Sequence, residues 1–90
     1  MLKNLEDIIL LARNRKENPV SDSYTNKLLN DKSLSKAKIL EEINELIEAV
    51  EKDTNKIHEA ADILYHLMIY LEANNIKIED IMNELGKRKK

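Results

Sequence analysis

The stretch from Ser35 to Glu51, SKAKILEEINELIEAVE, decides how this chain folds. Ile39, Leu40, Ile43, Leu46, Ile47 and Val50 recur at three- and four-residue intervals and fall within about 60° of one line on a helical wheel, the pattern of an amphipathic helix. Its polar side is acidic. Glu41, Glu42, Glu45, Glu48 and Glu51 precede a single following base, Lys52. Pairing along the helix therefore does not account for them.

The next segment carries a second acidic pair in a different setting. From Asn55 to Asn74, Ile57, Ala60, Ala61, Leu64, Leu67, Met68 and Leu71 form one apolar face. Ile63, Tyr65, Ile69, Tyr70 and Ala73 cover much of the rest. A helix apolar nearly all round must be buried nearly all round. Within it stand Glu59 and Asp62, three residues apart and therefore facing one way. Asp53-Thr54-Asn55 separates the two helices, with Thr54 expected as the N-cap of the second.

Three more helices flank this pair. One is expected from about Leu2 to Glu17, ending before Asn18-Pro19, because proline disfavours helix in the residue before it. A turn at residues 19–23 leads to a short helix from Tyr24 to Asn30. The last runs from Ile78 to about Lys87 and carries Ile78, Ile81, Met82 and Leu85. The basic end, Lys87-Arg88-Lys89-Lys90, complements that helix's dipole and reads as a solvated terminus.

Composition narrows the class. Ninety residues with one Gly, one Pro and no Cys, Trp or Phe make a single all-α domain over 1–90, with neither disulfides nor thiolate metal sites. A chain this short buries only about 60–65% of its unfolded surface. The expected fold is thus a helical bundle of about five helices per chain, completed by homodimerisation. Seventeen acids against 15 bases give a net charge of −2, too balanced for non-specific nucleic-acid binding. No segment is long and apolar enough to span a bilayer, and the acidic start does not resemble a signal peptide, so the expectation is a cytoplasmic protein with no membrane partner.

Buried carboxylates without bases cost several kcal/mol each unless a proton or cation offsets them. Oxygen donors without Cys or a His anchor suit a hard ion, Mg²⁺ or Mn²⁺. Glu42, Glu45, Glu59 and Asp62, two pairs at i,i+3 spacing on adjacent helices, are the expected ligands. Glu41 is then a further ligand or a general base. The rival reading is a non-catalytic helical dimerisation module with an exposed acidic face.

At these residues the chain resembles a known family. Glu-Glu-x-x-Glu followed by Glu-x-x-Asp is the signature of the all-α nucleoside triphosphate pyrophosphatases, the MazG-like superfamily. Ser23-Tyr24-Thr25-x-Lys27-Leu28, Lys38-Ile39-Leu40-Glu41-Glu42 and Glu59-Ala60-Ala61-Asp62-Ile63-Leu64-Tyr65-His66 resemble its phosphoribosyl-ATP pyrophosphatase branch. The resemblance covers nearly the whole chain. It implies a Mg²⁺-dependent homodimer acting on a nucleotide. Its reaction would be hydrolysis of phosphoribosyl-ATP to phosphoribosyl-AMP and pyrophosphate, the second step of histidine biosynthesis. A housecleaning pyrophosphatase for non-standard nucleoside triphosphates would share the acidic set.

On the same grounds Glu41 or Glu42 takes the proton of the attacking water. Tyr24 and Thr25 contact substrate, and Lys27 and Lys38 contact phosphate. Arg13 and Arg15 read better as cations at a helix C-terminus. His66 reads as a residue that orients a ligating carboxylate, and His58 as solvated. The chain departs from the family's usual pattern at Leu40, where a Gly is usual, and at Lys77, where a small polar cap is usual.

Overall fold

A computed structural model describes residues 1–89, and Lys90, the last of the four closing bases, lies outside them. Five helices follow one another: α1 (Lys3–Glu17), α2 (Tyr24–Asn30), α3 (Lys32–Lys52), α4 (Lys56–Ala73) and α5 (Ile78–Arg88). They occupy 40 × 39 × 25 Å. No helix is long and apolar enough to cross a membrane among the described residues.

Local chemistry sets the breaks. The Ser23 hydroxyl caps α2 by accepting from the Asn26 amide at 3.3 Å. Asp31 closes α2 and opens α3, its carboxylate accepting from the Leu34 amide at 3.0 Å. Helix α3 thereby starts at Lys32, one turn before the expected Ser35, because Asp31 caps it. Asp53 ends it in the left-handed conformation (φ 56°, ψ 48°). The Thr54 amide then donates to Ala49 O at 2.9 Å and the Asp53 amide to Val50 O at 3.3 Å, the two bonds of a Schellman turn. Thr54 is therefore part of the α3 terminus. The N-cap of α4 is Asn55, also left-handed at φ 43°, and its side chain makes no capping bond. Asx side chains tolerate this backbone region better than other non-glycine residues.

Helix α4 is the centre of the chain. It packs on α3, α1 and α2, and Ala12, Leu28, Leu29, Ile69 and Ala73 form the core, with Ile8, Leu34 and Tyr65 around it. The apolar stripe of α3 does not point there. The residues α3 buries are Ser35, Glu42 and Ala49, spaced seven apart along one line. Ser35 and Ala49 are small enough to let α4 approach closely. Leu40, Ile47 and Val50 remain 50–57% exposed. Helix α4 likewise leaves Ile57 and Leu64 outside and turns Ile63, His66, Ile69 and Glu72 inward. Most of the apolar stripe of α3 and part of the apolar face of α4 thus lie on the outer surface of the single chain.

Helix α5 buries none of its residues. An ionic clamp holds it. The Arg13 guanidinium grips Glu79 through two nitrogens at 2.6 and 2.9 Å and reaches buried Glu72 with Nε at 3.3 Å. The bidentate contact holds the Glu79 carboxyl down to about 2. Lys16 donates to Glu72 O at 2.8 Å and to Asn75 Oδ1 at 3.0 Å. Arg13 is therefore fully engaged and is not presented as a phosphate ligand. Glu72→Ala would leave Arg13 without its inner partner and is expected to lower stability by about 2–4 kcal/mol. A chemical-denaturation midpoint unchanged from wild type would contradict this role.

Candidate metal and nucleotide site

The α3–α4 hairpin brings the two acidic motifs face to face. Glu42 and Glu45 come from α3, Glu59 and Asp62 from α4. The Glu45 carboxylate acts on both Glu42 and Glu59, and the Asp62 charge acts on both as well. Glu41, Glu42 and Glu45 offer ligand atoms within 4.8 Å of one another, and so do His58, Glu59 and Asp62. A cavity of about 160 Å³ opens onto Glu45 and Glu59 from the turn between the helices.

Burial makes this set chemically unusual. Glu42 is only 5% exposed. One oxygen of Glu42 (Oε2) and one of Glu59 (Oε2) are buried with no hydrogen-bond partner. Desolvation, reinforced by Glu45, raises the carboxyl pKa of Glu42 above its ordinary value. Burial raises that of Glu59 in the same direction, again helped by Glu45. Two carboxyls can share a hydrogen bond only if a proton lies between them, and otherwise a cation must offset their charge. The unpartnered oxygens and the all-oxygen donor set fit a hard divalent cation.

Nearby lysines account for the outer glutamates only. Lys38 pairs with Glu41 at 3.1 Å and Lys52 with Glu48 at 2.6 Å. Glu42 meets Lys38 only at 3.9 Å. His58 is exposed, as expected of a solvated side chain, but it is not isolated: its Nε2 lies 3.4 Å from Asp62 Oδ2. The i,i+4 spacing of the two residues carried that signal.

The expected substrate residues separate into two groups. Lys38, at the mouth of the acidic set, and Tyr24, beside it, reach solvent. Lys27 is exposed and lines an open hollow that it shares with Pro19, Val20, Tyr24 and Asn30. Thr25 is turned inward, its hydroxyl 2.5 Å from that of Tyr65. It therefore holds the start of α2 against α4 and offers no free surface to a ligand. Asn26 was not expected to matter, yet it is buried and bonds at both ends: its Oδ1 accepts from the Val20 amide at 2.7 Å and its Nδ2 donates to Arg15 O at 3.0 Å. It fixes the 18–23 turn against α1. Its partners lie six and eleven positions away, so no helical pattern could have revealed this from sequence.

A pH dependence follows from the raised carboxyls. The folded chain holds protons on Glu42 and Glu59 more tightly than the unfolded chain does. Their contribution to stability is thus complete at and below the ordinary carboxylate value of 4.5 and is lost as pH rises through the raised values. Without divalent cations, the melting temperature at fixed protein concentration is expected to fall as pH rises above the ordinary carboxylate range. Millimolar divalent cation should remove most of that fall. A melting temperature that is flat or rising there would contradict the reading of the two carboxyls.

Comparison with known proteins adds an independent line. The family described as phosphoribosyl-ATP pyrophosphohydrolase matches residues 2–89. A histidine biosynthesis bifunctional protein HisIE of Pyrococcus furiosus is 44% identical over 91 residues, covering 100% of this chain and 42% of that protein. A phosphoribosyl-ATP pyrophosphatase of Clostridium novyi is 41% identical, over 96% of this chain and 81% of its own length. One from Clostridium acetobutylicum is 43% identical, over 93% and 79%. The chain thus spans less than half of the bifunctional relative and about four-fifths of the two clostridial ones. No solved structure gives a significant match.

Proposed function

The chain belongs to the phosphoribosyl-ATP pyrophosphohydrolase family, and on that premise we propose that it hydrolyses 1-(5-phosphoribosyl)-ATP to 1-(5-phosphoribosyl)-AMP and pyrophosphate. We read it as a cytoplasmic, Mg²⁺-dependent homodimer serving the second step of histidine biosynthesis. The observation that carries this reading is the pair of acidic groups along the α3–α4 hairpin, in which Glu42 is buried, Glu45, Glu59 and Asp62 are half-buried, and one oxygen each of Glu42 and Glu59 has no partner.

Those four carboxylates would hold the cation. When bound, a divalent ion offsets phosphate charge and lowers the pKa of water that it carries. The remaining tasks fall to the chain itself. The reaction adds a water oxygen to phosphorus, breaks the bridge between the α- and β-phosphates, and releases one proton. Glu41 and Glu42 are the carboxylates beside the cation set that can take it. We assign it to Glu41, because Glu42 is committed inward. Lys38, next to Glu41, and Lys27, on the adjoining hollow, offer ammonium groups to the phosphates. Tyr24 lines the hollow with Lys27 and feels the charges of Lys38, Glu41 and Glu42, and we assign it to the nucleoside part.

The dimer rests on a separate feature. Leu40, Ile43, Ile47 and Val50 on α3, with Ile57 and Leu64 on α4, leave more apolar surface exposed than a small monomer tolerates well. A second copy would cover it.

Pyrophosphate release from phosphoribosyl-ATP, with and without Mg²⁺, tests the reading against deoxynucleoside triphosphate controls. Metal-dependent turnover of phosphoribosyl-ATP alone is the expected result. Turnover of the controls alone would move the protein to the housecleaning group. Turnover of nothing would leave a helical dimerisation module.

A further inference from the structure

His66 is buried in α4, and neither of its ring nitrogens faces the acidic set as a ligand. Its Nδ1 lies 2.9 Å from the backbone carbonyl of Asp62, one turn earlier. Its Nε2 lies 3.2 Å from the hydroxyl of Tyr24, on α2. The ring is wedged between two phenols, edge-on to Tyr65 at 5.1 Å and to Tyr24 at 6.0 Å. Tyr65 is itself tied to Thr25 at 2.5 Å. Every rotation of the imidazole is thus opposed by a packed neighbour.

The carbonyl fixes the direction of one of these hydrogen bonds, and in the neutral ring that sets the other. A backbone carbonyl can only accept, so Nδ1 must carry a hydrogen. In the neutral ring Nε2 is then bare, and the phenol must donate to it. The hydrogen of Tyr24 is spent inward. What Tyr24 turns outward, beside Lys38, Glu41 and Glu42, is an oxygen with free lone pairs.

We infer that His66 is a positioning residue that makes Tyr24 a hydrogen-bond acceptor, and that Tyr24 therefore recognises a donor on the nucleoside part of the substrate, a ribose hydroxyl or base amino group, and not a phosphate. Ionised phosphate oxygens accept only, and they gain nothing from a phenol whose hydrogen is committed elsewhere. The ammonium groups of Lys38 and Lys27 suit them instead. The inference rests on the proposed function for the identity of the ligand, but the tautomer is a property of the free protein. It also replaces the expectation that His66 orients the Asp62 carboxylate. The histidine touches that residue's backbone, and it couples the turn holding Asp62 to the residue that opens α2.

Two measurements test it. The chain has two histidines, so a long-range proton–nitrogen NMR correlation on ¹⁵N-histidine protein, assigned with His58→Gln, reads the His66 tautomer without substrate. Nδ1 protonated and Nε2 bare is the expected pattern. A hydrogen on Nε2, in either the other tautomer or the doubly protonated ring, would overturn the inference. The second measurement separates nucleoside from phosphate recognition. Tyr24→Phe is expected to raise KM for phosphoribosyl-ATP about tenfold, the loss of one hydrogen bond, with kcat within about threefold of wild type. Its inhibition by inorganic pyrophosphate, a phosphate-only probe, should be unchanged. His66→Ala should match Tyr24→Phe, the double variant should be no worse than either, and His66→Gln, which restores an acceptor, should recover part of the loss. Additive losses, or pyrophosphate binding weakened as much as substrate binding, would overturn the coupling. Should His66→Ala fail to fold, the NMR pattern and the Tyr24→Phe comparison still decide the matter. Wild-type protein inactive on phosphoribosyl-ATP would remove the proposed function, while the nitrogen spectrum would still decide the tautomer.

Discussion

Glu45→Gln and Asp62→Asn are each expected to lower turnover of phosphoribosyl-ATP by roughly a thousandfold or more, while the dimer persists. Each change keeps the side-chain shape and removes one negative charge from the set proposed to hold the cation. Divalent metal contributes several kcal/mol to the transition state of such reactions, and each 1.36 kcal/mol is about tenfold in rate. The fold should not suffer, because among the described residues Glu45 pairs with no base and the Asp62 carboxylate meets only the exposed His58. Relief of the repulsion among the carboxylates should in fact raise the melting temperature of the metal-free protein at alkaline pH. Glu42→Gln should do so most, since Glu42 is the most deeply buried of the four. Steady-state rates over a Mg²⁺ titration, with sedimentation as a check on assembly, decide the point. Rates near wild type at saturating Mg²⁺ would remove both residues from the set of ligands.

The second large effect concerns assembly. Leu64→Glu is expected to weaken the proposed dimer by roughly a thousandfold. Leu64 is 46% exposed in the single chain, so the substitution should be nearly neutral for the folding of one protomer. In a two-fold interface the change occurs twice. Losing the burial of two half-exposed leucines removes about 1.5–3 kcal/mol, and two carboxylates desolvated in an apolar interface cost several more, so the total exceeds the roughly 4 kcal/mol that corresponds to a factor of about a thousand in dissociation constant. Sedimentation as a function of concentration measures it directly. A wild-type chain that is monomeric at micromolar concentration, or a Leu64→Glu protein that dimerises normally, would show that the outer stripe is covered by something else or by nothing. If dimerisation stabilises the hairpin, the variant should also bind Mg²⁺ more weakly, although no ligand has been altered.

The elements of the fold were legible in the sequence because they are written in short-range periodicity and caps. All five helices fall where the 3.6-residue pattern places them, and Asn18-Pro19 ends α1 as expected. The orientation of α3 was not legible. Its strongest apolar stripe, Leu40 to Val50, is the surface that the chain leaves outward, while the line Ser35–Glu42–Ala49 faces α4. A wheel identifies a face, but it does not say whether the same chain or another covers it. The acidic set was legible from two i,i+3 pairs, because a hairpin of adjacent helices has few ways to place them. Its finer connections were not. The contacts Tyr24–His66 and Thr25–Tyr65 join residues 42 and 40 positions apart, and no local pattern encodes them. The engagement of Arg13 by Glu72 and Glu79 is equally long-range. It makes a residue expected only as a cation near a helix C-terminus into the strap of α5.

The left-handed pair Asp53 and Asn55 carries a further consequence for how such chains can vary. The turn between the two acidic helices is three residues long, and it alone sets how α4 is rotated relative to α3. One residue inserted or deleted there turns α4 by about 100° about its own axis. Glu59 and Asp62 would then leave the shared site, and hydrophobic residues would take their place. Glycine or asparagine should be welcome at positions 53 and 55, where the left-handed backbone is the main requirement and the one side-chain contact, Asp53 with Lys56, is an exposed ion pair. The length of the turn is a different matter. Drift in these chains should therefore be free to rewrite the letters of the hairpin but not to change their number, and loops elsewhere, such as residues 18–23, are where insertions should accumulate.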